Sequence, residues 1–272
     1  MRRILLDDLK EAIKELYLQA NFSLHPFVKE QLEKAYEEEM GRGREVMKII
    51  VENFKIAERE KIPLCQDTGM AVVFLRIGNE VYWEGDIEES INAGIKEAVK
   101  GGYLRASTVL SPLDKRVNPG DNTPAVIHYE LVKGEVFEIT LLVKGFGSEN
   151  ATFLHLLSPQ AGWEGVKEVV LKDVKEKGGN ACPPLFIGVG VGGTCEKALE
   201  LSKKALCDLS PMKEEEEEIL KEVNRLGIGP GGMGGRFTAL RVKVKEYPTH
   251  IAGLPVAVSL NCHSLRFAKK NL

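Results

Sequence analysis

Through the first 60 positions apolar residues recur three or four apart: Leu5, Leu9, Ile13, Leu16 and Tyr17, then Val46, Met47, Ile50, Val51 and Phe54. This one-sided stripe predicts amphipathic helices. Between the two stripes, KEQLEKAYEEEMGRGRE is charged throughout and reads as a solvated helix face. The pattern changes at Ile62, where a short loop, KIPLCQDTG, leads into an apolar, β-branched run over 71–77 that suits a buried strand. Positions 86–102 open acidic and close on glycine, the marks of a helix start and stop. A turn-rich stretch with Pro112, Pro119 and Pro124 follows, and long loops of this kind are often functional. Runs at 125–132 and 136–143 predict a strand pair across Lys133 and Gly134.

Further on, KGFGSEN is a glycine-rich loop, 163–177 reads as a helix and 185–191 as an apolar strand. A glycine turn then enters a helix that carries Cys195 and Cys207. SPMKEEEEEILKEVNRLG predicts another helix, with Ser210 as N-cap, Pro211 at the first helical position and five glutamates near the positive helix end. GIGPGGMGGRF is the most glycine-dense segment, and 241–247 and 254–260 read as strands. No repeat and no Pro/Ser linker is apparent. The fold class expected is mixed α/β (α+β): an N-terminal helical section, 1–60, followed by mixed sheets with packed helices and long glycine-rich loops, 61–272, as one catalytic unit of one or two lobes.

Composition removes several alternatives. The chain has 272 residues, 43% hydrophobic and 28% charged, as in folded soluble proteins. Its net charge of -3 gives no basic excess for phosphates, so nucleic acid is not the expected partner. No apolar run approaches the ~20 residues of a membrane span, and MRRILLDDLKEAI lacks the apolar core of a secretory signal, so a cytoplasmic location is expected. Five cysteines, an odd number without an export signal, argue against a disulfide framework.

Cys65, Cys182 and Cys262 sit in loop contexts beside small or polar residues; Cys195 and Cys207 suit buried packing. There is no CxxC pair, so spacing alone claims no metal site, although the prolines after Cys182 resemble the Cys-Pro that follows some cluster ligands. Asp67 is either a general base or a carboxylate accepting turn N–H groups. Arg105 is either a carboxylate clamp or half of a surface ion pair. Cys262 and His263, adjacent in sequence, would point to opposite faces of a strand and make a poor nucleophile–base pair. GVGVGG follows a strand but lacks the spacing of a nucleotide loop.

Taken in order, PLCQDTG, LRAST, NPGDNTPAVIH, KGFGSEN, NACPP, GVGVGGT, GIGP and PTHIAGLPVAVSLNCH resemble the α subunit of class I (iron–sulfur) fumarases and tartrate dehydratases, from about Arg42 to His263. The resemblance implies a [4Fe–4S] cluster held by Cys65, Cys182 and Cys262, with one iron left open as a Lewis acid. It implies a hydro-lyase acting on a dicarboxylate, interconverting fumarate and L-malate, or alternatively dehydrating L-tartrate. Asp67 matches the family's acid/base carboxylate. Gln66 and Arg105 match substrate-carboxylate contacts, Gly145 and Gly147 a close substrate approach, and His250 a pocket histidine, with Lys144 adjacent. The other half of the family's site lies on a C-terminal domain or a separate β subunit. The resemblance therefore implies a β partner, as an α2β2 assembly. Two other classes stand against this reading: an iron–sulfur sensing module without catalysis, and a thiol enzyme built on Cys262 and His263.

Overall fold

The computed structural model describes residues 1–272. Its elements are, in chain order, β1 (Arg2–Arg3), α1 (Leu6–Phe22), α2 (Pro26–Glu38), α3 (Gly41–Glu60), β2 (Met70–Gly78), β3 (Val81–Tyr82), α4 (Ile87–Gly101), β4 (Val126–Val132) and β5 (Phe137–Lys144). They continue with α5 (Phe146–Glu149), β6 (Thr152–Leu157), α6 (Gly162–Lys177), β7 (Leu185–Gly192), α7 (Cys195–Leu206), α8 (Glu214–Arg225), β8 (Ala239–Tyr247), β9 (Leu254–Asn261) and β10 (Arg266–Asn271). The fold is mixed helix and sheet, as the pattern predicts. No helix is long and apolar enough to cross a membrane. The chain divides into two compact units, one of Met1–His25, Phe54–Phe146 and Arg266–Leu272, the other of Pro26–Asn53 and Gly147–Leu265.

The first unit is built on a sheet of order β10-β5-β2-β4. The predicted pair at 125–132 and 136–143 forms both strands but no hairpin: β2 lies between them, parallel to β4 and antiparallel to β5. The apolar run of β2 explains this. Its residues are buried on both faces, so it takes the interior position, whereas β4 alternates between half-buried and exposed and suits an edge. One face of β2 and β5 (Val73, Leu75, Ile139, Leu141) packs on α1 and α4 through Leu9, Ile13, Leu16, Ile91 and Ile95. Fully burying each such Leu or Ile contributes about 1.5–3 kcal/mol. A Cβ at Gly94 would sit 2.5 Å from the Lys10 carbonyl oxygen, so glycine there lets α4 close on α1. Asp86 caps α4 by accepting N–H groups of Glu88 and Glu89.

The second unit has a sheet of order β6-β9-β7-β8, with β7 parallel to β8 and antiparallel to β9. In β7 the sequence GVGVG divides its faces. Ile187 and Val189 enter an apolar core with Val170, Val174 and Val223. A Cβ at Gly188 or Gly190 would stand 2.0 Å from a carbonyl oxygen of α7, so these glycines serve helix–strand packing.

Two expectations are corrected in this unit. Ser210 does not cap α8. Lys213 holds the N-cap position, and its N–H donates to Glu216, three residues into the helix. Glu216 itself is not part of a solvated acidic run: it is fully buried, 2.8 Å from the Lys243 ammonium, and accepts the Val244 N–H. The charged stretch between the first helices likewise hides Glu39, which is 1% exposed and accepts the N–H groups of Arg236 and Phe237. This carboxylate closes the glycine-dense loop before β8, where a Cβ on Gly235 would meet it at 2.9 Å.

Candidate active site

In the first unit the candidate residues gather where β2 begins and β5 ends, with Met70 opposite Lys144 in the register. The loop before β2 bends back on itself through Asp67, whose Oδ1 accepts the Gly69 N–H at 3.0 Å. Its Oδ2 accepts the Phe146 N–H at 2.7 Å, two residues beyond the end of β5. Both oxygens are thus oriented by the main chain. Gly69 has φ +76°, and a Cβ there would lie 2.6 Å from the Lys144 carbonyl oxygen, so only glycine fits this turn. A Cβ on Gly145 would stand 3.0 Å from Asp67 Oδ2 and 3.1 Å from a terminal nitrogen of Arg266. The missing side chain keeps the carboxylate accessible from that side.

The Arg105 segment is held from its backbone. Asn122, fully buried at φ 57°, donates from Nδ2 to the Arg105 carbonyl at 2.9 Å and accepts the Thr108 N–H at 3.2 Å. The Arg105 guanidinium is exposed, as is Gln66. Lys144 is 1% exposed. Beneath Asp67, Tyr17 of α1 is fully buried and donates its hydroxyl to the Gly69 carbonyl at 3.2 Å. Burial pushes the Tyr17 phenol up to about 12, against the nearby Arg266 guanidinium and the Asn122 side chain, which favour the phenolate. Arg266, 2% exposed, donates to Asn21 Oδ1 at 3.0 Å.

In the second unit Cys182 and Cys262 lie on adjoining segments, because the His263 N–H donates to the Cys182 carbonyl at 3.1 Å. Cys182 has φ 56°, a conformation non-glycine residues rarely take and often a mark of function. Gly147 is exposed, and a Cβ there would meet nothing within 4 Å, so steric demand does not explain glycine at that position. His250 is exposed and accepts the Ala252 N–H on Nδ1; it lines an open cleft of about 480 Å³ with Lys197, Glu200 and Tyr247.

The cysteines carry thiols, not disulfides. Cys65 and Cys182 are exposed and Cys262 half-buried, and the Asp67 N–H points at Cys65 Sγ from 3.4 Å. An accessible sulfur met by a backbone N–H group, as at Cys65, suits a thiolate ligand of an iron–sulfur cluster. No three His, Cys, Asp or Glu side chains converge to hold a single metal ion. In a cluster each cysteine binds a different iron, and three free thiols are chemically suited to that role. Tyr17 and Arg266 lie in no sequence motif, whereas Asn122 stands in NPGDNTPAVIH, where asparagine tolerates the left-handed backbone.

Known proteins resemble this chain over nearly its whole length. The profile described as "Fumarate hydratase (Fumerase)" matches residues 10–271. A protein of Methanocaldococcus jannaschii named "Putative L(+)-tartrate dehydratase subunit alpha" is 38% identical, with 97% of each chain covered. A Geobacillus stearothermophilus protein named "Putative fumarate hydratase class I" is 30% identical over 96% of this chain, which spans 54% of that relative's length. The L(+)-tartrate dehydratase subunit alpha of Escherichia coli (strain UTI89 / UPEC) is 30% identical, covering 82% of this chain and 77% of its own. With almost its whole length matched, the chain belongs to the fumarate hydratase (Fumerase) family of hydro-lyases.

Proposed function

We propose that this chain is the α subunit of a cytoplasmic class I hydro-lyase that interconverts fumarate and L-malate, and that a β subunit completes its site in an α2β2 assembly. The observation that carries the reading is the Asp67 carboxylate, held by two main-chain N–H groups and kept open by Gly145. Names ending in "subunit alpha" among its relatives support the β partner. Cys65, Cys182 and Cys262 would hold a [4Fe–4S] cluster, which supplies a Lewis-acidic iron for the substrate hydroxyl when bound.

In the dehydration direction a proton leaves C3 and hydroxide leaves C2. Asp67 is the carboxylate of the acid/base pair: fixed in place, it exchanges a proton with the substrate without reorganising. Arg105 and Gln66 bind a substrate carboxylate, on which negative charge grows as the C3 proton departs, so their interactions strengthen along the reaction. His250, and Gly147 beside Gly145, complete the contacts from this chain.

L-tartrate is the second reading, favoured by the names of the relatives from Methanocaldococcus and Escherichia. The test is anaerobic co-expression with the β chain, followed by iron and sulfide analysis and kcat/KM for fumarate, L-malate and L-tartrate. About four irons per α chain and turnover of one dicarboxylate are expected. A cluster-loaded assembly that turns over none of the three would overturn the reading and favour a sensing module. Alkylation of Cys262 unaffected by iron would favour a thiol enzyme.

A further inference from the structure

The loop that carries Cys65, Gln66 and Asp67 is pinned at both ends by one turn of α1. The Asn21 carbonyl accepts the Leu64 N–H at 2.8 Å, and the Tyr17 hydroxyl donates to the Gly69 carbonyl at 3.2 Å. Tyr17 and Asn21 are four residues apart, hence on one helix face, and both are fully buried. Asn21 Nδ2 donates to the Tyr17 carbonyl, and Asn21 Oδ1 accepts from Arg266, so the turn is itself braced.

The Arg105 segment is held separately, by the Asn122 side chain at the Arg105 carbonyl and the Thr108 N–H. The Tyr17 phenol is thus a brace of the Asp67 loop. Beside it, Thr68 Oγ1 in that loop and Nε of Arg266, the partner of Asn21, are buried without a hydrogen bond. A buried polar network left partly unsatisfied lowers stability, and such costs persist where a particular geometry serves function.

We infer that Tyr17 is a positioning residue of the reaction, its hydroxyl fixing the Gly69 end of the loop and so the place of the proton-exchanging Asp67 carboxylate. The inference rests on the role proposed above for Asp67. The alternative is a core tyrosine whose hydroxyl matters for stability alone.

Tyr17→Phe keeps the buried ring and removes the hydroxyl. In the assembled, cluster-loaded enzyme we expect kcat to fall about tenfold to a hundredfold, the cost of a displacement on the order of 1 Å, with iron content unchanged. Amide exchange in the full chain should accelerate at Gly69 and Phe146, whose N–H groups the Asp67 carboxylate accepts. Wild-type kcat and KM in Tyr17→Phe would overturn the inference, whatever happens to the melting temperature. Should that variant not assemble, Asn21→Asp keeps the acceptor for Arg266 and removes the Nδ2 donor that braces the Tyr17 turn; a similar loss supports the role and wild-type kinetics overturns it. Asp67→Asn assayed in parallel separates the two levels. If it retains turnover, the acid/base assignment fails; if it is inactive while Tyr17→Phe is normal, only the positioning role fails.

Discussion

The two units share a three-stranded topology without a visible sequence repeat, the fourth strand coming last in one sheet (β10) and first in the other (β6). In each, a central strand (β2 or β7) crosses through helix to a parallel edge strand (β4 or β8), and the next strand (β5 or β9) returns antiparallel on the central strand's other side. A cysteine-bearing loop precedes both central strands, with Cys65 before Met70 and Cys182 before Leu185. In both, the residue two positions beyond the returning strand donates its N–H back to that loop: Phe146 to Asp67, His263 to Cys182. The acceptor differs. The first unit closes its corner with a carboxylate side chain, the group proposed for acid/base work, beside Cys65. The second closes it with a main-chain carbonyl, at the cost of a left-handed Cys182, and has a cysteine on each of its two segments. One scaffold thus presents a carboxylate and one thiol at the first corner and two thiols at the second, according to whether side chain or backbone completes the corner.

Substitution should separate the two corners. Cys182→Ser is expected to have the largest effect: iron and acid-labile sulfide fall together and turnover vanishes in the assembled enzyme. Asp67→Asn should lower kcat by about 10²–10⁴-fold, the range of a lost general acid or base, with iron unchanged. If Asp67→Asn lost its iron as well, Asp67 would be supporting the neighbouring Cys65 rather than exchanging a proton.

The frameworks behind the corners can be broken separately. Glu216→Ala leaves the Lys243 ammonium, 5% exposed, without its partner at 2.8 Å in the second unit. Removing one member of a buried pair costs about 3–5 kcal/mol, read as a lower urea midpoint, whereas replacing both residues by apolar ones should cost much less. In the first unit, Gly145 occupies the place that Cys262 holds in the second, just after the returning strand. Only the second corner has room for a side chain there. Gly145→Ala pushes a methyl to 3.0 Å from Asp67 Oδ2, so kcat should drop about tenfold while stability falls by about 1 kcal/mol. Unchanged kinetics would mean that the carboxylate yields without losing its function.

Most of the scaffold was legible in the sequence where period and burial agree. The runs at 71–77 and 185–191 become central strands, and the stripe through Leu9, Ile13, Leu16 and Tyr17 becomes a core-facing helix. Pairing was not legible: adjacency favoured a hairpin at 125–143, but the doubly buried β2 took the middle. β6 and β10 were missed because FLHLL alternates weakly and RFAKKN has too few apolar residues to stand out. The candidate residues were legible through motifs in loops. Their supports were not, since a buried Tyr17 in an amphipathic stripe reads as core, and Glu39 and Glu216 sit in runs of charge whose other members face water.

Acid should act most visibly in the second unit. Burial disfavours the Asp208 carboxylate, but the Lys245 ammonium at 2.7 Å and the Ser210 N–H at 2.9 Å outweigh it and hold its pKa well below the ordinary 3.8. A folded-state pKa below the unfolded one means that ionised Asp208 stabilises the fold above that ordinary value and that this contribution is lost as pH falls beneath it. Asp121 in the first unit is shifted the same way: burial opposes its ionisation, while Thr123 and the Lys96 ammonium at 3.6 Å prevail, by a smaller margin. At neutral pH Asp208→Asn should therefore lower the urea midpoint more than Asp121→Asn does. Both differences should shrink as the pH passes below about 4. A gap between Asp208→Asn and the parent chain that persists at low pH would show that the amide disrupts packing rather than removing a charge. Equal neutral-pH losses for the two variants would mean that the Lys245 contact, though shorter, holds its carboxylate no better than Lys96 holds its own.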